Sequence, residues 1–245
     1  MTTMTTPTVN ETTPTPGSTR RTAVLVGVLF LAATGTFLVA DELITGVLDL
    51  PDFLTSAPAH ATALSAGALL AFVDGLAVVG IALLLYPLLE RYSQPLALGY
   101  VGFRIAELAA ILLYLATPLL VSQIGGGLAD GTVDAAAGQH LGAVFQAQYD
   151  VAIVMIYLFT SVAGTVLAVA LHRSRLIPRP LAVLGLAGYP VLLVGTVLHV
   201  FDLADVTQGA GLLAVAPGGL FELILPIWLI VSGFSRPLRL GKGTA

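Results

Sequence analysis

Six stretches of this chain are apolar and long enough to cross a lipid bilayer, and no other feature of the sequence restricts the fold as strongly. They cover residues 23–40, 62–89, 96–121, 142–171, 181–200 and 212–234. A helix needs about 20 apolar residues to span a hydrocarbon layer of about 30 Å. Within that layer only helices and closed barrels satisfy every backbone N–H and C=O. Of the 245 residues 57% are hydrophobic and 10% are charged, where a soluble domain carries about 25% charged residues. The expected fold is all-α: a polytopic transmembrane bundle of six helices.

The basic residues give the bundle an orientation. With the N-terminus inside, nine of the ten Lys and Arg fall on the cytoplasmic side: Arg20, Arg21, Arg91, Arg173, Arg175, Arg179, Arg236, Arg239 and Lys242. The opposite side carries Asp41, Glu42, Asp49, Asp52, Asp130, Asp134, Asp202 and Asp205, with no Lys or Arg. An odd number of spans before Arg173 would scatter these charges over both faces. The positive-inside rule therefore places both termini in the cytoplasm.

Residues 1–19 are rich in Thr and Pro and have no apolar periodicity. They cannot bury enough surface to offset chain entropy, so a disordered tail is expected. The transmembrane domain then spans 20–235, and 236–245 form a short basic tail. Arg20-Arg21 before the first apolar run could start a signal peptide, but no small-x-small cleavage site follows, so an uncleaved helix is expected. Connections 90–95 and 172–180 are short and make their flanking helices neighbours. Residues 43–58 contain apolar side chains and two prolines and suit a short interfacial helix, whereas the Gly-rich segment 124–138 reads as a flexible loop.

The tenth basic residue, Arg104, lies inside the third span, three positions before Glu107. That spacing puts both on one helix face within pairing distance. Asp74, Asp150 and Glu222 also fall within spans, so four carboxyls accompany one guanidinium. At about 1.5 Å rise per residue, Asp74 and Glu107 come to mid-depth, with Arg104 a turn nearer the cytoplasm. The second and third spans form a hairpin, so Asp74 is expected to reach Arg104 or Glu107. Four ionised carboxylates around one cation in a low dielectric are strongly unfavourable. Such a core should hold a proton, a cation or a cationic group of a small ligand. The competing reading is a polar clamp that only keeps the helices in register, as in an accessory subunit. Interhelical hydrogen bonds in membranes contribute only about 0.6 kcal/mol each, so four acids make a costly clamp.

His60, His140 and His199, with Asp202 near the last, fall on the outer side. They are the weak candidates for a metal or haem site and hence for a membrane enzyme. No HExxH or similar spacing supports this, and no catalytic motif occurs, so no cofactor is implied. No cysteine is present and no basic stripe suits a nucleic acid. Prolines interrupt several spans, and Pro226 follows Glu222 by four residues, so its ring opposes that residue's carbonyl.

Several ordered stretches carry a resemblance: the run from Arg20-Arg21 to Phe30, Val78 to Pro87, Ala97-Leu98-Gly99-Tyr100-Val101-Gly102-Phe103-Arg104 with Glu107, Arg173 to Arg179, and Glu222 with Trp228 to Phe234. Together the chain resembles the prokaryotic integral membrane family named domain of unknown function 4386. The resemblance implies a six-helix protein of the cytoplasmic (inner) membrane with Arg104, Glu107 and Glu222 at family-typical positions. It implies no reaction and no substrate. The function expected is ion- or proton-coupled transport, or small-ligand binding, at an acidic intramembrane site made from Asp74, Arg104, Glu107, Asp150 and Glu222.

Overall fold

The computed structural model describes residues 16–207 and 209–235, and these contain helices and no strand. The tail up to residue 15, and Arg236, Arg239 and Lys242 of the basic tail, lie outside the described residues. Helix α1 (Pro16–Leu48) is followed by a one-turn helix α2 (Phe53–Ser56) and a 3-10 turn (Ala57–His60). Then come α3 (Ala61–Leu89), α4 (Gln94–Ala129), α5 (Ala135–Ser174), α6 (Arg179–Val200), a 3-10 turn (Gly209–Gly211) and α7 (Leu212–Ser232). Six of these segments are long and apolar enough to cross a membrane. The chain is a multi-pass membrane protein.

Short connections fold each long helix back on its predecessor. Thus α1 packs on α3, α3 on α4, α4 on α5, α5 on α6 and α6 on α7, and α7 returns to α1 and closes the ring. The outer faces keep Leu25, Leu69, Leu76, Leu83, Ile105, Val194 and Ile227 exposed. A water-soluble protein could not leave such a belt bare, whereas lipid tails cover it at no cost.

Lipid is as apolar as leucine, so the helices associate through close packing and polar bonds. Glycines supply the closeness. Gly164 lies directly under the ring of Tyr189, which joins α5 to α6. A Cβ on Gly188 would lie 2.7 Å from the backbone N of Gly218 and 2.8 Å from the carbonyl carbon of Pro217, so α6 and α7 touch backbone to backbone. On α1, a Cβ at Gly27 would lie 2.8 Å from the Pro226 carbonyl oxygen.

Several helices run further than the sequence indicates. The expected loop over 124–138 is mostly helical: Gly125-Gly126-Gly127 continue α4, and α5 begins at Ala135. The reason is packing, because a Cβ at Gly125 would sit 2.5 Å from the Leu54 carbonyl oxygen and 2.6 Å from the Ala57 Cβ. Glycine there admits the α2 elbow against α4. The interfacial helix expected within 43–58 is reduced to α2 and the turn after it, because α1 continues to Leu48. Helix α1 itself begins at Pro16, a residue suited to a helix's first turn.

The two ends of the ring are finished differently. At the end holding Arg91, Arg173, Arg175 and Arg179, Arg20 reaches from α1 to the last turn of α7. Its Nη1 donates to the Leu229 carbonyl at 3.1 Å and its Nη2 to that of Ile230 at 2.7 Å. The Leu229 carbonyl also accepts from the Gly233 N–H at 3.1 Å, and a cation at this end complements the helix dipole. At the other end, Asp134 accepts from the Ala137 N–H at 2.9 Å and caps α5. The Thr132 N–H and hydroxyl donate to Asp130 at 3.0 and 2.7 Å, which holds that carboxyl below its ordinary value.

The backbone contact at Gly188 makes a direct prediction. Gly188→Ala is expected to destabilise by about 1–3 kcal/mol, as overpacking does. Gly126→Ala, where no atom lies within 4 Å of the new methyl, should melt within a few degrees of the parent. Thermal unfolding of the purified protein in detergent measures both.

Candidate intramembrane site

The ring surrounds a partly open cavity of about 190 Å³ to which all six long helices contribute. Its contributors lie near mid-helix: Phe30 to Leu38 of α1, Asp74 to Ile81 of α3, Arg104 and Glu107 of α4, Ile156 to Thr160 of α5, Tyr189 and Leu192 of α6, and Val215 to Glu222 of α7. Four of the five expected site residues, Asp74, Arg104, Glu107 and Glu222, line this one space.

Arg104 and Glu107 are one turn apart on α4, as their spacing requires. The Arg104 Nη1 donates to both carboxylate oxygens of Glu107, at 2.8 and 2.7 Å. Its Nε donates to the Tyr100 hydroxyl at 3.3 Å, and the guanidinium lies 5.4 Å from the Tyr100 ring centroid. Arg104 is 2% exposed and Glu107 3%, so this is a fully desolvated pair. Every hydrogen bond described for the guanidinium stays within α4. Glu107 alone carries the network onward, accepting from the Thr160 hydroxyl of α5 at 2.8 Å.

Glu222 accepts from the Tyr189 hydroxyl at 3.1 Å, which ties α7 to α6. Tyr189 stacks edge-on with Phe221, ring centroids 5.6 Å apart. Asp74 behaves differently from the other two acids. It is 5% exposed and faces the same cavity as Arg104 and Glu107. Among the described residues it makes no hydrogen bond and no ion pair within 4 Å. The expected bond from Asp74 to Arg104 or Glu107 does not form, and the bonds described for the guanidinium run to Glu107 and Tyr100 within α4.

The fifth expected member stands apart. Asp150 is exposed on α5, outside the cavity lining, and its charged neighbours are His199 and Asp205. His60, His140 and Asp202 are also exposed. The His199 Nδ1 accepts from the Val206 N–H at 3.4 Å and lies 3.5 Å from the Asp205 carboxyl. Among the described residues no three His, Asp or Glu side chains come together closely enough to hold a metal ion.

One polar centre was missed at the level of sequence. Asp41, counted there with the outer charges, lies within α1 and accepts from the hydroxyls of Tyr149 at 2.5 Å and Tyr114 at 3.1 Å. It joins α1, α4 and α5, with the Tyr114 and Tyr149 rings 5.5 Å apart. A signal was present: Phe30, Thr34, Phe37 and Asp41 follow helical spacing on one face. The apolar run ends at Ala40, and that boundary hid it.

Chemically, the cavity offers an acid with no hydrogen bond among the described residues, a second acid held by a tyrosine and a cation already matched by Glu107. Arg104→Met would leave Glu107 buried and unpaired, and it should destabilise by about 3–5 kcal/mol. Adding Glu107→Gln should recover most of that loss. A double-mutant cycle on unfolding midpoints in detergent tests this, and strict additivity would refute the pairing.

No curated protein and no solved structure matches this chain. Residues 25–233 match the family described as "Domain of unknown function (DUF4386)". That span takes in most of α1, the whole of the other five long helices and every residue of the cavity lining. The chain therefore belongs to the DUF4386 family.

Proposed function

We propose that this protein acts through its central cavity, binding a small ligand or ion at mid-membrane for transport or for ion- or proton-coupled binding. It sits in the cytoplasmic (inner) membrane with both termini on the cytoplasmic side, the orientation that its basic residues favour. The observation that carries the functional reading is Asp74, a buried acid that lines the cavity and makes no hydrogen bond among the described residues. An acid at that depth is costly unless something answers it. The protein's own cation is already bound to Glu107.

A purely structural role accounts for part of the network. Glu107 with Thr160, Glu222 with Tyr189, and Asp41 with Tyr114 and Tyr149 all bridge helices. It gives no role to Asp74, and it does not explain why Arg104 turns its bonds back onto its own helix.

Proteoliposomes with an entrapped pH dye test the proposal under imposed cation and proton gradients. The parent is expected to show flux above that of empty vesicles. Asp74→Asn and Gly219→Leu should each reduce it at least tenfold while keeping the parent's melting temperature within a few degrees. Gly219 lines the cavity and has no atom within 4 Å of a new Cβ, so the leucine fills space without striking backbone. Unchanged flux in both well-folded variants would refute the reading. Loss of folding in both would favour the structural role.

A further inference from the structure

We infer that the cavity accepts a small organic monocation, an ammonium group carried on an apolar body, with Asp74 as its counter-ion. This inference rests on the cavity being a binding site and narrows what it binds.

Charge gives the first argument. Asp74, Glu107 and Glu222 face the cavity together with the single cation Arg104. Glu107 is spent on that cation at 2.7 Å, and Glu222 is held by Tyr189 at 3.1 Å. Asp74, 95% buried by its 5% exposure, has no hydrogen bond among the described residues. An anionic ligand would meet two further acids, whereas a cation meets an acid that lacks a partner.

Geometry separates an organic cation from a metal ion. A calcium-type site draws six to eight oxygens to about 2.3–2.6 Å. Among the described residues no three acids or histidines converge in that way. An ammonium needs less, since one carboxylate and nearby aromatic faces satisfy it. Phe37, Tyr157 and Tyr189 line the same space.

Size and lining specify the rest of the molecule. Phe30, Val78, Ile81, Ile156 and Leu192 make the remaining walls predominantly apolar. A dry apolar cavity of about 150 Å³ admits benzene, so one of about 190 Å³ has room for a ring bearing a short ammonium arm. The route in is also apolar. Leu38 lines the cavity and is itself 62% exposed, which places an opening beside α1. Across the same space, Gly219 of α7 leaves open volume where a side chain would stand. Arg20 and Gly27 close α1 onto α7 nearer the basic end. The α1–α7 joint is where the first and last long helices of the described chain meet.

The test uses the purified full chain in detergent with tritiated 2-phenylethylammonium, bound by scintillation proximity. Saturable binding is expected. Unlabelled 2-phenylethylammonium should displace it at a concentration at least tenfold lower than 2-phenylethanol, its neutral counterpart. Asp74→Asn should weaken ammonium binding at least tenfold. The alcohol comparison needs no variant, so it decides even if Asp74→Asn fails to fold. Equal displacement by the alcohol would overturn the cation assignment and leave the binding cavity standing. Absence of saturable binding by either probe, with Gly219→Leu flux equal to the parent's, would overturn both.

Discussion

The pairing of Arg104 with Glu107 is the constraint on which the interior of this bundle depends. An arginine at mid-membrane is tolerated only with its charge answered, and here the answer comes from one turn along the same helix. A pair internal to α4 can form as soon as that helix does. Its neutralisation does not wait for the other five spans to arrive. Tyr100 adds a hydrogen bond and a ring face from the turn below, so α4 enters the bundle with its most costly group already satisfied. The acids on α3 and α7 are then not needed for that task.

Because the ion pair does not bind helices together, other contacts must. Three carboxylate–hydroxyl bridges join helix to helix: Asp41 with Tyr114 and Tyr149, Glu107 with Thr160, and Glu222 with Tyr189. Each is worth well under a covalent link, about 0.6 kcal/mol in membranes. Glycine contacts add to the packing, since they bring backbones within dispersion range over many atoms. Arg20 then fastens the last turn of α7 to the start of α1. A residue that the sequence marks only as a topogenic charge thus also caps a helix.

The architecture was largely legible because bilayer thickness and charge placement are read directly from residue type. Six spans, their order and their alternation follow from apolar length and from where Arg and Lys fall, and the helices match in number and sequence position. The site was legible in part. Spacing gave Arg104–Glu107, because an i, i+3 pair needs only helix geometry. The convergence of Asp74 and Glu222 on the same cavity followed less directly, since it depends on how each helix is rotated about its axis. Rotation is set by packing between helices, which one sequence does not display. Asp150 shows this cost: it is exposed, and its charged neighbours His199 and Asp205 lie at and beyond the end of α6. Asp41 and the glycine run at 125–127 were misread for a related reason. Composition ends an apolar window at an acid or a glycine, yet the helix continues where tyrosine hydroxyls or a close-packed elbow compensate.

The walls of the cavity are unequal in stiffness, and this follows from backbone chemistry. On one side, α4 and α5 are bound by Glu107–Thr160 and by the Asp41 centre, with Tyr114 and Thr117 fully buried. On the other side stands α7, in which Pro217 and Pro226 both interrupt the helix. Neither proline has an N–H, so the carbonyls of Leu213 and Glu222 lose their helical donors. Gly218 and Gly219 lie between the two prolines and cost more conformational entropy to hold in a helix than any other residue. Deformation is therefore least costly along the stretch of α7 that faces the cavity and carries Glu222. Contacts still tie α7 to its neighbours, Gly188 against Pro217–Gly218, Tyr189 at Glu222 and Arg20 at the last turn.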